Sequence, residues 1–276
     1  MTPSHEVTTG YADVNGARLY YEVAGAGHPL VLNHAGIADC RMWDEQFAAF
    51  AAHYRVVRYD MRGSGRSNDP PGPFSGRGDL YGLMTALGIA RAHLVGLSMG
   101  GSLVLDMAIE HPDMVTALVP VAAGLGGHAG TGRDEQEEAL EAAMAADDYA
   151  RANEIDLQVW VDGPRRAPGQ VDPTVRERVR EMNAGIYAQL PNQGTLQRMD
   201  PPAAARLGEI TAPTLVIAGD GDVPDILDIA DVLAAGIAGA RKVIIPGVAH
   251  MVNMERPAEF NRLVLDFLRG VDARRP

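Results

Sequence analysis

The stretch Leu94-Val95-Gly96-Leu97-Ser98-Met99-Gly100-Gly101 is an apolar run that ends in a serine bracketed by glycines. It reads as a buried strand turning sharply into a helix with Ser98 at the corner, the pattern G-x-S-x-G. So tight a turn leaves no room for Cβ atoms two residues before and two residues after the corner. Gly96 and Gly100 meet that need, and Gly101 lets the helix begin close to the sheet. The same geometry lifts the Ser98 hydroxyl above the sheet, beside the unpaired N–H groups and positive dipole end of the helix. A hydroxyl so placed suits attack on a carbonyl. The five residues alone also fit an ordinary turn, so the rest of the chain decides.

Strands and helices alternate on both sides of this stretch. Upstream, Tyr11 to Val14 and Leu19 to Val23 predict a hairpin, because Asn15-Gly16 supplies the positive φ angles of a tight turn. Pro29 to Asn33, Tyr54 to Tyr59 and Arg91 to Leu97 predict strands, and Asp39 to Ala52 and Asp79 to Leu87 predict helices. Downstream come a helix over Ser102 to Glu110 and a strand over Val115 to Val121. Later follow a strand over Pro213 to Ala218, a helix over Ile226 to Ala235, a strand over Lys242 to Pro246 and a helix over Pro257 to Leu268. Alternation of this kind implies an α/β fold, a mostly parallel sheet with helices on both faces. Ligands in such sheets bind at the carboxyl ends of the strands.

From Leu125 to Leu207 the alternation stops and no good strand is visible. Asp134 to Gln158 and Val175 to Gln189 have helical spacing, separated by a Pro- and Gly-containing loop from Asp162 to Gly169. We therefore expect a core of residues 1–124 and 208–276 and a helical cap of residues 125–207, with the cap's charges on solvated faces. Trp160 is an aromatic in a mostly polar helix pair and needs something to cover; it is the expected cap contact to a substrate.

The composition narrows the function classes. A chain of 276 residues, 46% hydrophobic, fits one large domain with an insertion. Its formal net charge of -12 argues against nucleic acid or an anionic membrane as partner. No segment approaches the ~18 uninterrupted apolar residues of a membrane span. The start, Met1 to Glu6, has neither a basic nor an apolar signal region, so a cytoplasmic location is expected. The single cysteine, Cys40, excludes an internal disulfide and a cysteine metal cluster, and reads as a packing residue. No metal or cofactor is expected, and the expected assembly is a monomer or small homo-oligomer.

A serine hydroxyl needs a base within hydrogen-bond reach, itself held by a third group. Of eight histidines, His5, His28, His53, His93, His111 and His128 are expected at the surface or at helix ends. His34 and His250 lie in loops that follow strands, and only His250 has a loop long enough to reach over Ser98. Asp220, Asp222 and Asp225 all follow the strand ending at Ala218 and could orient it. The Met99 amide, at the helix start, offers one oxyanion donor, and the loop His34-Ala35-Gly36-Ile37 the other, with Gly36 permitting close approach. His34 is then a loop-stabilising residue.

With these residues in place the chain resembles the α/β-hydrolase superfamily over nearly its whole length. Within it the match is to the cap-bearing group of 3-oxoadipate enol-lactonases, carboxylesterases, cofactor-free perhydrolases and carbon-carbon bond hydrolases. The carrying segments are Tyr59 to Ser67 (Tyr-Asp-Met-Arg-Gly-Ser-Gly-Arg-Ser), Gly96 to Gly101 and Pro246 to Pro257. The resemblance implies an eight-stranded sheet with the cap after the sixth strand, and it puts the catalytic acid at Asp222. Two departures stand out: His34-Ala35 replaces the usual His-Gly, which leaves Gly36 or Ile37 as the second donor, and Ser64 replaces the usual histidine of Arg-Gly-His-Gly. The implied function is a serine hydrolase of a small carboxylic ester or lactone using Ser98, Asp222 and His250. Trp160, Ile37, Val223 and Met251 are the expected substrate contacts. The alternatives are carbon-carbon bond hydrolysis or perhydrolysis by the same triad, or a hydrolase-fold receptor with little turnover.

Overall fold

A computed structural model describes residues 6–130, 135–190 and 194–274. His5, the first residues of the expected leaderless start, and Asp134, the first residue of an expected helix, lie outside the described residues. Eight strands form one sheet: β1 (Thr8–Val14), β2 (Ala17–Ala24), β3 (Pro29–Asn33), β4 (Arg55–Tyr59), β6 (Ala92–Leu97), β7 (Val115–Val121), β9 (Leu215–Gly219) and β10 (Arg241–Ile245). Their spatial order is β1-β2-β4-β3-β6-β7-β9-β10. Strand β2 runs antiparallel to both its neighbours, and the remaining pairs are parallel. The β1–β2 hairpin turns at Asn15 (φ 49°) and Gly16 (φ 79°), as the Asn-Gly pair predicts.

Side chains of a strand alternate between faces, and the central strands build two cores this way. On one face Val31, Leu94, Leu118 and Val216 pack with α2 (Gly76–Ala86), α3 (Met99–Glu110) and α7 (Pro224–Gly236). On the other, Leu30, Leu32, Val95, Val119 and Ile217 pack with α1 (Asp44–Ala51) and α9 (Pro257–Asp272). Helix α9 buries Phe260, Val264, Phe267, Leu268 and Val271 at helical spacing. Each such side chain contributes about 1.5–3 kcal/mol by leaving water.

After β7, the sixth strand of this sheet, come three helices, α4 (Glu135–Ala145), α5 (Tyr149–Asp156) and α6 (Pro173–Tyr187). The helical stretch expected from Asp134 to Gln158 is broken at Ala146-Asp147-Asp148, where Asp147 takes a positive φ of 54° and the Asp148 carboxylate caps α5 by accepting from Arg151 N–H. Leu157–Asp162 then continues α5 as a π-turn. Two corrections follow. The segment does contain a strand, β8 (Thr195–Leu196), which pairs with β5 (Pro73–Phe74) in a two-stranded sheet. At two residues apiece, neither has enough alternation to register in the sequence.

Nor are the segment's charges all on solvated faces. Arg176 grips Asp162, whose side chain is 2% exposed, at 3.0 Å, and also reaches Glu154 at 2.7 Å. Beside them the buried Asp156 accepts from the Tyr187 hydroxyl (2.6 Å) and the Asn183 amide (2.8 Å). Burial raises the Asp156 pKa above the usual carboxylate value, and the two donors, both on Oδ2, offset part of the cost of burying the group.

Two smaller expectations also meet the structure. Cys40 is a buried packing residue, its thiol pKa pushed well up by burial. His93, expected at the surface, is 0% exposed: its ring bonds Thr116 Oγ1 (3.0 Å) on β7 and Asp272 (3.1 Å), a half-exposed partner on α9.

Candidate active site

Ser98 sits where β6 meets α3, with φ 58° and ψ -115°. A non-glycine residue held in that region costs on the order of 1–3 kcal/mol, and the surrounding bonds supply it. Ser98 N–H donates to Val121 C=O (2.9 Å), and Ser98 C=O accepts from Ser102 N–H (3.0 Å) and Gly124 N–H (3.1 Å). The bracketing glycines are required by contact. A Cβ on Gly96 would lie 2.1 Å from Gly100 O, and one on Gly100 would lie 2.4 Å from Asn33 O. The Ser98 side chain is half-buried, whereas Met99 beside it is exposed.

The turn after β3 lies against the elbow, since a Cβ on Gly36 would sit 3.6 Å from the Met99 side chain. Ala38 N–H donates to Ala35 C=O (3.1 Å) and closes the turn around Gly36 and Ile37. The Met99 N–H, first in α3, has no acceptor within its helix. His34 holds the turn from behind and is fully buried. Its Nδ1–H donates to Ala35 C=O (2.8 Å) and its Nε2 accepts from Met61 N–H (2.8 Å). Both ring nitrogens are engaged and burial lowers its pKa, so His34 is a neutral strut, as the sequence suggests. Asp60 fixes the next loop by accepting from Cys40 N–H and Arg66 N–H, each at 2.8 Å.

Asp222 and His250 come together at the carboxyl ends of β9 and β10. The His250 Nδ1–H donates to Asp222 Oδ2 at 2.8 Å, with side chains 1% and 0% exposed. Asp222 Oδ1 accepts from Val223 N–H (2.8 Å), which fixes the carboxylate. Among the three aspartates Asp222 alone meets the imidazole: Asp220 instead accepts from Gly247 N–H (2.7 Å) and shapes the turn ahead of His250. The Trp160 ring lies against His250 with centroids 4.7 Å apart. Ile37 and Val223 are half-buried at the edges of the two cores. Met251 departs from its expected role as a substrate contact. It is 0% exposed inside the second core and presents no surface to a ligand, because the chain turns inward directly after His250.

Three residues that the sequence does not single out tie the helical segment to this site. Arg166 donates to both carboxylate oxygens of Glu255 (2.6 and 3.0 Å) and to the carbonyls of Val161 and Asp162 (each 2.8 Å). Glu255 in turn accepts from Ala249 N–H (3.0 Å), one residue before His250. Gly163, at φ 74°, fits where a Cβ would lie 2.6 Å from Gly221 O and 2.9 Å from the Ala249 side chain. Arg166 and Glu255 thus clasp the turn bearing Trp160 to the loop bearing His250. Their only visible signal is an arginine in a Pro- and Gly-rich loop and a glutamate five residues after a histidine.

Three groups in the described residues invite a metal reading, Asp39, Cys40 and Asp60. Asp39 is taken by Arg41 (2.7 Å) and Asp60 by two backbone amides, so the cluster's charges have partners already. Among the described residues no helix is long and apolar enough to cross a membrane.

Residues 23–263 match the alpha/beta hydrolase family, and the chain belongs to it. It is 30% identical over 271 residues to an Azorhizobium caulinodans protein named "Putative carbamate hydrolase RutD", covering 95% of this chain and 99% of the relative. It is 31% identical over 273 residues, 93% of each chain, to the 2-hydroxy-6-oxo-6-phenylhexa-2,4-dienoate hydrolase of Comamonas testosteroni. Among solved structures it resembles the enol-lactonase from Burkholderia xenovorans LB400, with a TM-score of 0.77 and 29% identity over 94% of this chain and all of the other.

Proposed function

We propose that this member of the family is a serine hydrolase of small carboxylic esters or lactones, with Ser98, His250 and Asp222 as its triad and residues 125–207 as a cap over the site. The carrying observation is the buried 2.8 Å bond between His250 and Asp222, on loops that leave the same carboxyl edge of the sheet as the strained serine elbow, two and three strands along from it. Asp222 leaves the His250 Nε2 unprotonated and ready as a base, and stabilises the imidazolium once it forms. Ser98 Oγ attacks the carbonyl carbon as His250 takes its proton. The oxyanion is received by the Met99 amide and by that of Gly36 or Ile37, donors fixed before the charge develops. His250 protonates the leaving alkoxide, and the acyl group stays on Ser98. Water then gives a proton to His250 and attacks the acyl carbon, His250 returns the proton to Ser98, and the acid leaves.

Similarity to the Burkholderia enol-lactonase supports the lactone class. Similarity to the Comamonas dienoate hydrolase favours, as a second reading, carbon-carbon cleavage by the same residues. The two are separated by product analysis: an alcohol or hydroxy acid from the first, a shortened enol and an acid from the second. Purified Ser98→Ala is expected to keep its melting temperature and lose turnover of short p-nitrophenyl esters by at least ~10³-fold; undiminished turnover overturns the reading.

A further inference from the structure

A cavity of about 190 Å³ opens beside the elbow. An apolar space of ~150 Å³ is enough for benzene, so this one holds a ring-sized group. Phe74, Leu196 and Met199 supply apolar walls, and one face of α3 supplies the floor, where Met99, Ser102 and Asp106 recur at the three- and four-residue spacing of a helix face.

The charges around the cavity are unequal in what they leave open. Arg62 is held by Asp79 at 2.8 Å, with side chains 4% and 5% exposed. Arg77 is held by Glu110 at 2.7 Å and by the Gln197 carbonyl. Arg198 is exposed to water. Asp106, half-buried, lines the cavity and has no hydrogen bond or ion pair with any described residue. Burial pushes its pKa up to about 6, with Glu110 adding and Arg77 opposing. A half-buried carboxylate facing a ring-sized apolar space lacks a donor.

We propose that this cavity is the subsite for an aryl-sized part of the substrate bearing a hydrogen-bond donor, a hydroxyl or an ammonium, which Asp106 and Ser102 receive. The proposal rests on Ser98 as nucleophile for its ruler. Asp106 lies eight residues beyond Ser98, roughly 12 Å along the helix axis. A hydrogen bond at one end and an attack distance at the other, each ~3 Å, leave about 6 Å between the reacting carbonyl and the donor. That is the span of a 4-hydroxyphenylacetyl group. An anion is disfavoured because Arg62 and Arg77 already have carboxylate partners.

The test compares methyl 4-hydroxyphenylacetate with methyl phenylacetate. The wild-type protein is expected to favour the hydroxylated ester by about tenfold in kcat/KM, on the scale of one hydrogen bond to a charged group. That ratio is expected to collapse toward one in Asp106→Leu and to shrink as pH falls through about 6. Ser102→Ala, a milder change, is expected to lower it about threefold. Binding of 4-hydroxyphenylacetamide and phenylacetamide to Ser98→Ala protein, followed by ligand-observed NMR, reads the subsite without turnover. Equal turnover and equal binding of each pair overturn the proposal, as does a preference for a 4-carboxyphenylacetyl ester that Arg198→Gln removes. Asp106-dependent binding in a protein that hydrolyses neither ester would retain the subsite and reject Ser98 catalysis instead.

Discussion

Phe260 and Arg176 hold two helices by different means. Phe260 is 0% exposed in α9 and fixes that helix to the sheet by filling space among apolar neighbours. Arg176 fixes α6 to the π-turn by paired charges, its guanidinium shared between Asp162 and Glu154. The sheet and its helices are one hydrophobic structure with two faces. The helical segment has a small apolar cluster of its own, around Ala152, Ile155 and Tyr187, sends Leu157, Val161, Val179 and Met182 into the second core, and adds to both a set of polar bonds whose strength varies with pH and salt. Strain and precise geometry therefore sit on the sheet, at Ser98 and the Asp222–His250 pair, while the surface that meets it is built from adjustable parts.

The largest expected effect breaks the chemistry. His250→Ala should lower kcat/KM by at least ~10³-fold, about 4 kcal/mol. Next come the two anchors. Phe260→Ala should cost about 3–5 kcal/mol of global stability in urea. Arg176→Met should cost about 2–3 kcal/mol, because it leaves the buried Asp162 carboxylate unpaired. Hydrogen exchange should show that loss confined to α5 and α6, with β6 and β9 still protected; equal loss in both regions would erase the contrast.

A smaller effect tests the join between the regions. Glu255→Gln keeps the size of the side chain and weakens its grip on Arg166. It should lower kcat about tenfold through a displaced His250 loop, with KM nearly unchanged.

The smallest effect concerns acid. Arg176 beside Glu154 holds that carboxyl's pKa down at about 2. A depressed carboxyl pKa contributes stability that is complete above the unfolded value near 4.5 and is lost as pH falls toward 2. Asp156 works in the opposite direction, its raised pKa favouring the folded protein as pH falls. Protection of α6 should thus decline between about pH 4.5 and 2 while that of β7 persists, and more steeply in Asp156→Asn.

How legible each region is in the sequence follows from the same difference. Val115–Val121 falls where expected to the residue, and the elbow glycines are required for the reason their spacing suggests, since both express steric rules that repeat locally. The choice of Asp222 over Asp220 and Asp225 needed the family resemblance, because all three lie in one short loop and only the fold shows which faces the imidazole. Arg166, Glu255 and Arg176 were not legible as anchors. A charge in a polar helix looks the same in sequence whether it meets water or a buried carboxylate 14 residues away. The burial of Met251 is hidden for a related reason: proximity in sequence to His250 says nothing about which way the chain turns next.

The central claim is that Ser98 is the nucleophile poised by His250 and Asp222. Incubation with a fluorophosphonate followed by peptide mapping tests it directly. We expect one phosphonyl group per chain, on Ser98, with labelling and loss of esterase activity in step and with labelling abolished in Ser98→Ala. Labelling at another residue, or esterase activity that survives complete modification of Ser98, would contradict it.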